Sequence, residues 1–334
     1  SGMKERLLAE LKRSLEAAGL WQKNALLLAA VSGAGAVFIF WYAASVTDLS
    51  SVVNSGGLTE IGQQQMRLYL VFCGLLLILA LAVGRRSRPP VTVQVPVENR
   101  KLPKRTAAMA VSTLLLIPVT LFIGVFYLDG QQYGLISLLV LLECMTPFFM
   151  VFESRRPQAR ELVVIAVLCA ISVAGRAAFF MLPHFKPVLA LTIISGVALG
   201  GETGFLVGAV TMLASNVLFS QGPWTPFQMF AMGIIGFLAG VLFRKGLLRR
   251  TRGSLCVFGV FSAIVIYGGI MNPASVLMWA NADTLTWKTV LTYYVTGFPM
   301  DCVQASATVF FLLIAAEPML EKLDRIKLKY GLME

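Results

Sequence analysis

Charge is scarce in this 334-residue chain, at 13% of residues, where a soluble domain carries about 25%. Histidine occurs once, at position 184, and acidic residues number only 17. With 57% hydrophobic residues, these shortages exclude a disordered chain and an ordinary soluble enzyme. Cysteine is sparse too. Cys73, Cys144, Cys169, Cys256 and Cys302 lie in apolar runs without C-x-x-C spacing. Five is odd, and a single histidine cannot complete a His/Cys zinc set, so all five read as small buried side chains and no metal site is expected. A G-x-x-x-x-G-K-[ST] loop is missing, so the chain is not expected to hydrolyse ATP by that route. H-E-x-x-H and G-x-S-x-G are missing as well, and no enzymatic activity or covalently bound cofactor is expected.

What is there is apolar and basic. The mean hydropathy is +0.77 and the formal net charge is +11. In a soluble protein that charge would suggest nucleic acid, whereas in a membrane protein it marks cytoplasmic loops. The pattern predicts an all-α polytopic membrane protein with about ten spans, at roughly 20 apolar residues each. The ten segments are 25–46, 67–84, 107–128, 134–152, 161–182, 187–200, 203–219, 227–243, 254–271 and 288–316. The sixth is short, and only Gly201-Glu202 parts it from the seventh. With both termini cytoplasmic, 24 of the 28 Lys and Arg residues fall on one side; Arg67, Arg176, Lys186 and Lys288 are the others. Nine or eleven spans would misplace whole basic blocks.

Three regions follow. Residues 1–23 place Leu7, Leu8, Leu11 and Leu15 at helical spacing among charges, which predicts an amphipathic interfacial helix and no cleavable signal peptide. Residues 24–153 form a four-helix membrane region, interrupted by the basic, proline-bearing linker 88–105. A second basic break, ESRRPQAR, opens a six-helix region, 154–334.

Within that last region Ala166, Ala170, Ala174 and Ala178 recur every four residues, which makes one helix face smooth. The row serves either packing inside the chain or docking of a separate membrane subunit. Gly196, Gly200, Gly204 and Gly208 repeat the period, and there internal packing is the expectation. Arg176 sits towards the outer end of its segment, where it either binds a polar ligand or snorkels to the interface. Glu143 and Asp301 are acids at membrane depth; Asp301 stands beside Pro299 and near Gln304, which predicts a broken, polar helix start. Three outer loops are rich in aromatics, amides and prolines. They are 182–187 with Lys186; 220–226 with Gln221 and Trp224, flanked by Asn216 and Gln228; and 272–287 with Asn272, Trp279 and Trp287. An interfacial aromatic belt would explain the tryptophans but not the amides and prolines beside them.

The segments AVLCAISVAGRAAFFMLPHFKPVLALTIISGVALGGETGFLVGAV and SNVLFSQGPWTPFQMFAMGIIGFLAGVLF resemble the substrate-binding S component of energy-coupling factor (ECF) transporters, over residues 160–316. The resemblance implies a six-helix bundle that captures a vitamin from outside and associates with a transmembrane coupling subunit and two cytoplasmic ATPases. It also implies that Ala166, Ala170 and Ala174 face the coupling subunit. The substrate-binding set expected on this basis is Arg176, Phe180, Lys186, Asn216, Gln221, Trp224, Gln228, Asn272, Trp279, Asp301 and Gln304. Broad outer loops point towards cobalamin or a related corrinoid, with riboflavin-like and queuosine-precursor ligands as the other candidates. Nucleic acid is not an expected partner, and the bacterial plasma membrane is the expected location. S components are about the size of the six-helix part alone, so residues 1–153 are surplus and make tipping in the membrane harder. A self-sufficient ion-coupled transporter is the competing class; it would use Glu143 and Asp301 and show internal repeats. A membrane scaffold would leave the polar outer loops unexplained.

Overall fold

A computed structural model describes residues 30–38, 63–84, 104–127, parts of 135–146, 159–279 and 286–330. The described residues are helical, with short turns between them. The chain divides into two compact units, residues 1–51 with 60–91, and 52–59 with 92–334. In the first, helix α1 (Gln63–Gly84) packs against residues 30–38, with Leu75 close to Gly35 and Cys73 buried. The expected helix at 1–23 and the linker up to residue 103 lie outside the described residues.

The second unit contains α2 (Lys104–Tyr127), α3 (Ala159–Ala178), α4 (Val188–Leu199), α5 (Gly201–Phe219), α6 (Thr225–Arg244), and α7 (Arg252–Phe261). A π-helical turn, Ser262–Tyr267, joins α7 to α8 (Gly268–Trp279), and α9 runs from Trp287 to Tyr330. Five described helices are long and apolar enough to cross a membrane. Together they make this a multi-pass membrane protein.

Helix α4 is the centre of the bundle. All twelve of its residues are buried, yet at 1.5 Å per residue it is only about 18 Å long, short of the roughly 30 Å hydrocarbon core. It is apolar because protein surrounds it. The sixth and seventh segments are separate helices, as their sequence suggests. The break is Gly200, whose φ of 96° lies in the left-handed region that a side chain disfavours.

Lipid tails are as apolar as leucine, so helices associate in a membrane through close packing rather than through exclusion of water. Three backbones meet at Gly196 of α4, Gly204 of α5 and Gly236 of α6. A Cβ on Gly204 would lie 2.5 Å from the Gly236 carbonyl oxygen, and one on Gly208 would lie 2.6 Å from the Met232 carbonyl oxygen. The internal-packing expectation for this glycine row holds. Its partner row, Gly233, Gly236 and Gly240, also follows helical spacing.

Three expectations need correction. Residues 272–279 are not loop but the end of α8, because the helix runs on through the π turn and tolerates Pro273. Asp301 does not sit at a broken start, since α9 is continuous for 44 residues through both Pro299 and Pro318. Cys73 and Cys169 are buried, but Cys256 and Cys302 are only half-buried, Cys256 at the margin of the core. Cys144 lies outside the described residues. Glu143 accepts a hydrogen bond from Thr120 of α2, so it is paired within the front region.

At one end of the bundle α9 is clamped by charge. Arg250 pairs with Asp324 and Arg252 with Glu317, while Lys327 donates to the Ala198 carbonyl at the end of α4. That end carries Arg244 of α6. Helix α6 is about 30 Å long, so its opposite end, at Thr225, lies a bilayer core away.

Candidate functional site

Polar side chains converge at the Thr225 end. Arg176, in the last turn of α3, donates through Nη1 to Ser215 Oγ and to Asn216 Oδ1, each at 2.6 Å. Asn216 Nδ2 donates onward to Thr225 Oγ1 at 3.0 Å and Gln228 Oε1 at 2.9 Å. One chain of hydrogen bonds therefore links α3, α5 and α6. Asn216 is fully buried and uses both ends of its amide, which fixes its orientation. The partners of Arg176 here are neutral, a hydroxyl and an amide. A cation held this way favours a ligand that brings acceptor oxygens or nitrogens.

An aromatic pair sits beside this chain. Phe180 stacks on Phe219 with centroids 5.2 Å apart. Arg176 lies 6.0 Å from the Phe219 ring centroid, and Lys186 lies 5.8 Å from that of Phe180. The two rings are thus flanked by two cations, an arrangement attractive to ring faces.

The loop from 220 to 224 follows directly. Gly222 and Thr225 close a turn, Thr225 N–H donating to the Gly222 carbonyl at 3.0 Å. The Trp224 indole lies flat against Gly222, where any Cβ would overlap the ring. Trp224 also precedes α6, its carbonyl accepting from Gln228 N–H at 3.0 Å. Gln221 Oε1 is buried and finds no donor among the described residues, leaving an acceptor at the loop.

Helices α8 and α9 supply the acid. Asn272 Nδ2 donates to Asp301 Oδ2 at 2.9 Å, and the carboxylate lies against Gly268, where only a residue without Cβ leaves room. Gln304, one turn beyond Asp301, is buried and hydrogen-bonds His184. His184 keeps exposed surface at the loop tip, but protein crowds its ring. That crowding partly desolvates the imidazole and pushes its pKa below the ordinary value, the Gln304 bond partly offsets this, and the Lys186 and Arg176 charges add to the lowering.

The structure thus gathers Arg176, Asn216 and Gln228 into one network and places Phe180 and Lys186 beside it. Trp224 and Gln221 lie on the adjoining loop, Asn272 and Asp301 pair with each other, and Gln304 meets His184. Trp279 ends α8, and its side chain lies outside the described residues. Trp287 is exposed at the start of α9. Ser215, Phe219, Thr225 and His184 complete the site but were not in the expected set. Phe219 stands four residues after Ser215 and three after Asn216, a spacing that marks one helix face.

The alanine row takes no part in the bundle core. Ala166, Ala170, Ala174 and Ala178 are exposed along α3, beside exposed Leu162, Val163, Val167 and Ile171; the opposite face, Ile165, Leu168, Cys169 and Ser172, is buried.

A family model described as the ECF-type riboflavin transporter S component matches residues 157–323, which span α3 to α9 and hold every member of this site. No curated protein and no solved structure matches the chain.

Proposed function

Since the chain belongs to the family of ECF-type riboflavin transporter S components, it is a substrate-binding transporter subunit, not an enzyme, and we propose that it captures a flavin-type vitamin from outside. The observation that carries this reading is the network of Arg176, Ser215, Asn216 and Gln228 beside the stacked Phe180 and Phe219. A flat heteroaromatic ring with acceptor edges matches both halves of it. The rings offer faces, and the guanidinium and amides offer donors. A corrinoid is the second ligand reading, resting on the breadth of the outer loops. The family's riboflavin members favour the flavin.

Orientation follows from charge. In this reading the basic end with Arg244, Arg250 and Arg252 lies in the cytoplasm with both termini, a choice supported by the excess of Lys and Arg. The Arg176 end then faces outward in the plasma membrane. The exposed alanine row of α3 is the docking face for a transmembrane coupling subunit, which in turn carries two ATPases. Small residues let two helix backbones approach closely, and this face has no partner in the α3–α9 bundle.

Calorimetric titration of the purified full-length chain with riboflavin and with cobalamin tests the reading. Saturable one-to-one binding of riboflavin supports it, binding of cobalamin alone moves the ligand to the corrinoid class, and binding of neither removes the site assignment.

A further inference from the structure

The loop of residues 179–187, between α3 and α4, is fixed far more tightly than a connection of its length requires. An ammonium has three N–H donors and no acceptor. Lys186 Nζ meets three backbone carbonyls, those of Phe179, Phe180 and Leu182, at 2.5, 2.9 and 2.7 Å. These carbonyls follow the end of α3, where helical partners run out, although that of Phe179 also accepts the Leu182 N–H at 3.1 Å. The Phe185 ring has no exposed surface and packs among Phe179, Phe310 and Phe311, which anchors the loop to α9. Pro187 covers Gly175, where a Cβ would lie 2.5 Å from the proline ring. Two successive i→i+2 hydrogen bonds, Phe185 N–H to the Pro183 carbonyl and Lys186 N–H to the His184 carbonyl, curl the tip. His184 at its centre has a φ of 54°, a conformation that a side-chain-bearing residue keeps only when its surroundings impose it. The tip directs His184 to Gln304 and sets Phe180 on Phe219.

Resting on the reading of this end of the bundle as the vitamin site, we infer that Lys186 is a positioning residue that holds the 179–187 loop in its ligand-facing shape through those three carbonyls. All three of its donors are spent on the backbone, so its charge acts on the ligand through the loop. The charged groups that face it are Arg176 from α3 and His184 from the loop itself. Helix α9 meets the loop through the apolar Phe310 and Phe311 and through the uncharged Gln304. Tyr267 and Asp301 lie beyond and interact with each other, Tyr267 also with Arg176. Burial, helped by the Arg176 charge, brings the Lys186 pKa down to about 8. A neutral amine keeps only two N–H donors, so above pH 8 one carbonyl loses its partner and the loop loosens.

The test compares the full-length wild type with Lys186→Arg and Lys186→Met in lipid nanodiscs. Riboflavin affinity is measured by calorimetry between pH 6.5 and 9.5, values that bracket about 8. In the wild type, affinity falls about tenfold between pH 7 and 9, as the protonated fraction falls to about one tenth. Lys186→Arg, whose guanidinium stays charged, flattens that fall, and Lys186→Met binds about tenfold or more weakly at every pH. Titration of riboflavin itself is common to all three proteins and cancels in the comparison. Hydrogen exchange of the Phe185 and Lys186 amides, corrected for intrinsic rates and measured without ligand, loses protection above pH 8 in the wild type and keeps it in Lys186→Arg. The inference is overturned if wild-type loop protection is independent of pH, or if the arginine variant loses it equally. If riboflavin binds none of the proteins, the exchange result alone decides the role of Lys186, and only the flavin reading falls.

Discussion

Arg176 and Asn216 are joined by a 2.6 Å hydrogen bond from Nη1 to Oδ1, and this bond ties the end of α3 to the end of α5 at membrane depth. Asn216 is held from the other side by Thr225 and Gln228, so the amide does not depend on the arginine for its orientation. Arg176→Met should therefore spare the fold while removing the cation. A hydrogen bond to a charged group is worth about 1.5–3 kcal/mol, which corresponds to a loss of vitamin affinity of roughly tenfold or more. Calorimetry with helicity monitored by circular dichroism checks both parts. Arg176→Lys should fall between, because a single ammonium lacks the planar fork that serves two acceptors.

Trp224 and Gly222 form one unit, the indole lying on the bare glycine backbone. Trp224→Ala should weaken binding about tenfold or more without unfolding the chain, consistent with aromatic anchors at binding sites. Gly222→Ala should displace the indole and lower affinity in the same way. The double variant should be no worse than Trp224→Ala alone, since neighbours that act as a unit are not additive. Full additivity would show that the indole does not need its seat on Gly222.

The two small-residue rows should answer substitution in opposite ways. Gly236 faces Gly204 and Gly196 backbone to backbone, so Gly236→Leu should lower the thermal midpoint sharply, overpacking costing about 1–3 kcal/mol or more. Ala170 is exposed, so Ala170→Leu should leave the midpoint unchanged and abolish co-purification with a coupling subunit. A normal yield of complex from Ala170→Leu would remove the docking role of α3.

His184 gives the acid limb. Its folded pKa is lowered, so between that value and the ordinary value of about 6.5 the unfolded chain binds a proton that the native chain does not. Native stability is then present above about pH 6.5 and is lost as pH falls through this window. Thermal midpoints in detergent should fall on acidification in the wild type, and the fall should be shallower in His184→Gln.

Sequence periodicity carried much of this architecture because membrane helices announce themselves by length and composition. The alanine and glycine rows were legible for the same reason, as spacing alone fixes a helix face. The course of α8 and α9 was not, because proline rules are written for isolated helices. At Pro273 the Tyr294 hydroxyl of α9 donates to the freed Gly269 carbonyl at 3.1 Å, and Pro299 and Pro318 stay within the continuous α9 as well. Arg176, Asn216 and Gln228 stood out as polar residues in apolar runs. Their joining into one network did not, since it depends on α5 packing directly against both α3 and α6, a pairing that spacing along one segment does not encode. The role of Lys186 was hidden differently. A lysine beside prolines in an outer loop looks like a ligand contact, and only the positions of three carbonyls show that its donors are spent.

The most direct test of the account is identification of the small molecule retained by the full-length chain after gentle purification from cells supplied with vitamins, with Arg176→Met treated identically. The account predicts that mass spectrometry finds a flavin in near one-to-one amount with the wild type and far less with the variant. A wild type that retains no vitamin, or a variant that retains the same molecule in equal amount, would contradict it.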